Sequence, residues 1–131
     1  MFTSRTKIQF HDCDPAGILF YANLFRHAHD IYQELLEKNR KNYFHDDEVV
    51  LPIIKATAEY FFPMKSGEEY KVDIIVSQLR DSSFELTYLF YDQQRKVYAE
   101  VKTVHVSVGK KSFQKIEIPE DLRMLLSSFR V

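Results

Sequence analysis

The stretch His11-Asp12-Cys13-Asp14-Pro15-Ala16-Gly17-Ile18-Leu19-Phe20-Tyr21-Ala22-Asn23 decides how the rest of this sequence is read. It separates two different periods. Before it, Thr6 to Phe10 alternates and predicts a short strand. After it, Leu24, Phe25, Ala28, Ile31, Tyr32, Leu35 and Leu36 recur at helical spacing and form one apolar stripe. Arg26, Asp30, Gln33, Glu34, Glu37 and Lys38 fall elsewhere on the wheel, which assigns Asp30 and Glu34 to solvent. Between the two patterns, Pro15 disfavours helical geometry at Asp14, and Gly17 permits a tight backbone path. The stretch therefore joins a strand to the start of the strongest helix.

Working outward, the helix should end in the basic, turn-prone residues 39–42, and the polar, acidic segment 43–48 predicts a loop. From Val49 the period becomes two. Ile54, Ala56, Ala58, Tyr60 and Phe62 share one strand face. Pro63 and Ser66-Gly67 mark a turn. Tyr70, Val72, Ile74 and Val76 alternate in the next strand, and Phe84, Leu86, Tyr88 and Phe90 in the one after. Asp92-Gln93-Gln94-Arg95 reads as a hairpin turn, and Tyr98 to Val108 as a long strand ended by Gly109. Pro119, Glu120 and Asp121 open a short C-terminal helix, with acids well placed at its start. Hairpin-joined strands pair antiparallel, and a helix with one apolar stripe packs on one sheet face. The expectation is an α+β domain spanning residues 1–131, with an antiparallel sheet curved around one long central helix. Apolar residues on both strand faces leave a second surface that one short helix cannot cover, which predicts a partner subunit.

Composition narrows the function. A length of 131 residues suits one domain. With 45% hydrophobic and 28% charged residues, the chain is of ordinary globular composition. A net charge of −1 argues against nucleic-acid binding. The glycines Gly17, Gly67 and Gly109 lie too far apart for a dinucleotide or phosphate-cradling loop. One cysteine excludes an intrachain disulfide and a multi-cysteine metal site. The first residues lack a signal-peptide core, and no apolar run approaches the ~18 residues of a membrane span. A cytoplasmic protein that does not enter membranes is expected.

The chemistry concentrates in the opening stretch. A helix start offers unpaired N–H groups and a partial positive potential. Such a terminus can hold a carbonyl oxygen that becomes negative during acyl transfer. A carboxylate on the same loop, Asp14, could attack that carbonyl or deprotonate a water that does. Asp14 could equally cap a turn, as Asp before Pro often does.

Residues 11–23 resemble the signature of hotdog-fold acyl-CoA thioesterases of the 4-hydroxybenzoyl-CoA thioesterase family. That signature is Asp-x-Asp-Pro-x-Gly, two apolar residues, an aromatic residue, Tyr-x-Asn. Asp12, Asp14, Pro15, Gly17, Ile18, Leu19, Phe20, Tyr21 and Asn23 match it. The resemblance implies a hotdog fold, an antiparallel sheet of about five strands around the helix, whose sheets pair between two subunits in a homodimer or homotetramer. It implies hydrolysis of an acyl-CoA thioester without metal or cofactor, coenzyme A entering only as part of the substrate. It also implies Asp14 as the catalytic carboxylate, whether nucleophile or general base, and the Tyr21 backbone N–H as the group that polarises the carbonyl. Gly17 and Ile18 are then substrate-side residues, and Tyr60 reads either as core or as a substrate-side pocket wall. Lys65, Lys110 and Lys111 are candidates for the coenzyme A phosphates.

Other residues are weighed against plainer roles. His11 could tune Asp14 or simply make an ordinary strand-end hydrogen bond. Cys13 lies between Asp12 and Asp14, whose charges disfavour a thiolate, so it should be inert. His27 and His29 are two apart on a helix and do not share a face, and His105 reads as a sheet residue. No GxSxG elbow is present, which excludes the α/β-hydrolase serine mechanism. A non-catalytic hotdog module that binds acyl-CoA or an acyl carrier is the alternative from another class. A hotdog dehydratase would need a His–carboxylate pairing that the sequence does not suggest.

Overall fold

The structure, a computed structural model, describes residues 1–39 and 48–130. Its elements are β1 (Phe2–Lys7), α1 (Asn23–Lys38), β2 (Val49–Val50), β3 (Ile53–Tyr60), β4 (Glu69–Leu79), β5 (Ser83–Tyr91), β6 (Val97–Val106), β7 (Val108–Gly109) and α2 (Glu120–Ser128). Five strands form one sheet in the order β1-β4-β5-β6-β3, and every neighbouring pair is antiparallel. β2 and β7 make a separate two-stranded ribbon. The expected hotdog arrangement, one long helix against an antiparallel sheet, is what the chain adopts.

The alternating residues explain where the core lies. Val72, Ile74 and Val76 of β4, Phe84, Leu86, Tyr88 and Phe90 of β5, and Ala99 and Val101 of β6 are buried together. The α1 stripe meets them with Leu24, Ala28, Ile31, Tyr32, Leu35 and Leu36. Each such large side chain contributes about 1.5–3 kcal/mol by leaving water. Leu122 and Leu126 dock α2 onto the same core, and the Val76 N–H donates to the Phe129 carbonyl just past it.

Two local expectations need correction. The first strand runs Phe2–Lys7 rather than Thr6–Phe10. Ile8 still donates to the Glu68 carbonyl and is fully buried, so the alternation is real as far as Ile8. The Gln9 N–H then donates to Asp12 Oδ2, and Phe10–Asp12 closes into a 3-10 turn. Glu34 is not left to solvent: it accepts from Ser4 Oγ at 2.6 Å and pairs with Lys38 at 2.8 Å. These contacts hold its carboxyl pKa below the usual value, Lys38 first and then Ser4. The helix ends at Lys38, within a residue of the expected region. The loop expected over 43–48 falls, apart from Glu48, outside the described residues.

Among the described residues, one edge of the sheet is bare: β3 pairs only with β6, and most of its residues are exposed on both faces. Ile54 is 63% exposed, and beyond the strand Phe61 and Phe62 stay open. The apolar alternation expected over residues 54–62 holds only in part: a register shift between Ile53 and Lys55 interrupts it at Ile54, and the strand ends at Tyr60, before Phe62.

Candidate active site

The motif folds into a miniature hairpin ahead of α1. Asp14 N–H donates to the Ile18 carbonyl, Cys13 bridges Leu19, and Phe20 N–H donates to the Asp12 carbonyl. The turn between them needs Gly17, whose φ is +78°. Its carbonyl accepts from Ser66 N–H, and the Ile18–Lys65 bridge ties the hairpin to the segment before β4. The structure therefore brings Gly17, Ile18 and Lys65 to Asp14.

Asp14 is exposed. Its Oδ1 accepts from Ala16 N–H at 2.9 Å and Ile18 N–H at 3.2 Å. The turn-capping role is thus present, and it occupies one oxygen. Oδ2 makes no hydrogen bond among the described residues.

Tyr21 lies one residue beyond the Asp12–Phe20 rung, at the mouth of α1. Among the described residues, neither its N–H nor that of Ala22 has an acceptor. The helix has no side-chain cap and no acid in its first turn. Two amide donors are therefore left over at the positive end of a 16-residue helix. Tyr60 joins them from β3, its hydroxyl donating to the Tyr21 carbonyl at 2.6 Å. Its phenol pKa is raised, by burial first and then by Tyr21.

Beneath the hairpin lies a network that the sequence reading missed. Asp12 is 1% exposed and binds Arg26 Nη2 through Oδ1, and His27 Nε2 through Oδ2 at 2.9 Å. His27 Nδ1 meets Thr6 Oγ1 at 2.5 Å, and Asn23 Nδ2 donates to the Asp12 carbonyl at 2.8 Å. Burial works against the Asp12 charge. The Gln9 N–H, His27 and Arg26 outweigh it and hold the pKa below the ordinary carboxylate value. A signal existed: His27 sits at +3 from Leu24 and −4 from Ile31, on the buried stripe, and a buried histidine needs a partner.

The remaining candidates separate. His11 is exposed, and its ring contact is with Asp12 Oδ1 at 3.7 Å. The Cys13 thiol pKa is raised, by burial first and then by Asp12 and Asp14, against a thiolate. His105 is buried in β6, stacked on Phe84 and pushed down to about 4 by burial. Lys110 and Lys111 are exposed, but they follow β7 at the Ile53 end of β3. The eight residues of β3 separate them from Tyr60, roughly 25 Å at strand rise. Within one chain they are not brought to the motif.

Amide donors without acceptors suit an oxygen that gains negative charge, and a carboxylate on the adjoining hairpin suits the carbon that bears it. That pairing is the chemistry of acyl transfer. The profile of the thioesterase-like superfamily matches residues 8–126, and the chain belongs to that superfamily. The expected enzyme class, a thioester hydrolase, goes with that membership. The 1,4-dihydroxy-2-naphthoyl-CoA hydrolase of Rippkaea orientalis is 33% identical over 126 residues, covering 92% of this chain and 91% of its own. The hydrolase of the same name from Microcystis aeruginosa is 33% identical over 119 residues, covering 88% and 86%. The crystal structure of a 1,4-dihydroxy-2-naphthoyl-CoA thioesterase from Synechocystis superposes with a TM-score of 0.89 at 19% identity, covering 96% and 95%. At that identity the last comparison bears on the fold.

Proposed function

We propose that this protein hydrolyses the thioester of an aromatic acyl-CoA, with Asp14 supplying the carboxylate and the start of α1 holding the carbonyl oxygen. The observation that carries this is the pair of acceptor-free amides at Tyr21 and Ala22, directly after the small hairpin that bears the unbonded Oδ2 of Asp14. The thioester oxygen accepts from the Tyr21 N–H, which draws electrons from the carbonyl carbon. Asp14 Oδ2 either bonds to that carbon directly or takes a proton from a water that does. The carbon–sulfur bond breaks, its electron pair leaves with sulfur, and coenzyme A departs as the thiol after gaining a proton. Where Asp14 attacks directly, water then cleaves the mixed anhydride. Only water is consumed, so the proposal calls for no resident cofactor or metal.

An aromatic acyl group is favoured by two observations. The relatives at 33% identity are named for a naphthoyl thioester. Phe20, Tyr21, Phe61 and Phe62 also lie exposed around the helix start and the adjoining end of β3, with Phe20 and Tyr21 rings 4.8 Å apart. Lys65, bridged to Ile18 of the motif, would take a coenzyme A phosphate in this reading.

The bare β3 edge supports a homodimer, alone or within a tetramer. Two β3 edges pairing antiparallel would set the Lys110 end of one copy beside the Tyr60 end of the other, giving Lys110 a route to the same substrate. No helix among the described residues is long and apolar enough to cross a membrane.

Thiol release from a panel of acyl-CoA esters tests the reading. Aromatic esters, the 1,4-dihydroxy-2-naphthoyl ester first among them, should be turned over with higher kcat/KM than acetyl- or palmitoyl-CoA. Preference for a long aliphatic ester would overturn the aromatic assignment. Release from none, with acyl-CoA still bound, would favour a binding module.

A further inference from the structure

Tyr60 reaches the helix start from a different element, and its hydroxyl is committed to protein rather than open to substrate. It donates to the Tyr21 carbonyl at 2.6 Å, whereas the other donor to that oxygen, Leu24 N–H, stands at 3.4 Å. A peptide is planar and trans, so its N–H and C=O point in opposite directions. Holding the Tyr21 carbonyl therefore fixes the direction of the Ala22 N–H. The preceding peptide is held in the same way, since Asn23 N–H donates to the Phe20 carbonyl at 2.9 Å. Both peptide planes flanking the Tyr21 Cα are thus clamped through their carbonyls, and both of their N–H groups lack acceptors among the described residues. A hydrogen bond accepted by a peptide carbonyl also strengthens the N–H of that peptide as a donor.

We infer that Tyr60 is a positioning residue, which by gripping the Tyr21 carbonyl aims and polarises the Tyr21–Ala22 peptide so that the Ala22 N–H serves as a second donor to the thioester oxygen. The inference rests on the acyl-CoA reading above. It assigns Tyr60 a role through the main chain, where the sequence suggested core or a substrate-side pocket wall. The phenol stays protonated at neutral pH, its pKa being raised by burial, so the grip holds throughout the working range.

The test compares wild type, Asp14→Asn and Tyr60→Phe on the best ester from the panel. Tyr60→Phe keeps the half-exposed ring, and its melting temperature should stay within a few degrees of wild type. Its kcat should fall about tenfold, less than the ~10²–10³ seen when an oxyanion donor is deleted outright, with KM within twofold. Infrared spectra of a carbonyl-labelled thioester supply the second readout. Bound to Asp14→Asn, the ester's carbonyl stretch should lie below its solution frequency. In the Asp14→Asn/Tyr60→Phe double variant it should move part of the way back. An unchanged kcat, a raised KM at constant kcat, or an unmoved stretch would each overturn the positioning role. Failure of the underlying reading looks different: wild type turns over no ester, or Asp14→Asn matches wild type, and this inference falls with it.

Discussion

At the scale of single residues, the motif divides its two aspartates between two tasks. Asp12 is buried and ion-paired; Asp14 is exposed with one oxygen unbonded. The tasks predict different failures. Asp12→Asn removes a buried charge from Arg26 and His27 and should cost about 3 kcal/mol of stability at pH 7. The folded pKa of Asp12 lies below its unfolded value, so this contribution is complete above the ordinary carboxylate pKa of ~3.9 and is lost as pH falls through the folded value. In urea titrations, wild type should exceed Asp12→Asn at neutral pH, and the gap should close below about pH 4. A gap that widens on acidification would contradict the ion-pair account. Sequence shows the Asp14 turn readily, because Asp before Pro with Gly at +3 has few other uses. It shows the Asp12–His27 contact poorly, because 15 positions separate the pair and only the fold closes that distance.

At the scale of the element, α1 combines a well-filled stripe with an undefended start. Helical period alone places Leu24, Ala28, Ile31, Leu35 and Leu36, and all of them are buried. The missing N-terminal cap emerges only with the fold, in which Ala22 occupies the cap position, offers no acceptor, and no acid follows in the first turn. That gap sacrifices stability that a carboxylate would restore. Ala22→Asp should stabilise the helix by about 0.3–1 kcal/mol, while placing negative charge where the thioester oxygen must develop its own. Calorimetry should show a higher Tm, and the assay should show at least tenfold less activity. A variant both more stable and equally active would mean that the helix start does not face the reacting carbonyl. The boundaries of β1 were harder to read, because alternation at Thr6 to Ile8 continues smoothly into Gln9 and Phe10. A side-chain bond from Asp12, invisible to periodicity, ends the strand.

At the scale of the whole molecule, the proposed homodimer would account for both the exposed β3 edge and the distant lysines. A long, bare, partly apolar edge strand invites pairing, and the expectation of a second covered surface came from apolar residues on both faces of the strands. Sequence does not reveal that the uncovered strand is β3, since strand order depends on which pairs form and not on the pattern within any one of them. Sedimentation should find wild type dimeric or larger. Ile54→Lys, on the 63%-exposed Ile54, should shift it toward monomer and depress activity with little change in far-ultraviolet circular dichroism. A fully active monomer would show that one chain suffices.

The most direct test of the central claim is the single-turnover rate of Asp14→Asn on a preferred aromatic acyl-CoA, measured beside its dissociation constant. The side chain keeps its size and can still accept from Ala16 and Ile18, so binding should hold within a few-fold. Hydrolysis should slow by about 10²–10⁴, the range a positioned acid or base commands. A variant that cleaves the ester at close to the wild-type rate would contradict the assignment of Asp14 as the reacting carboxylate.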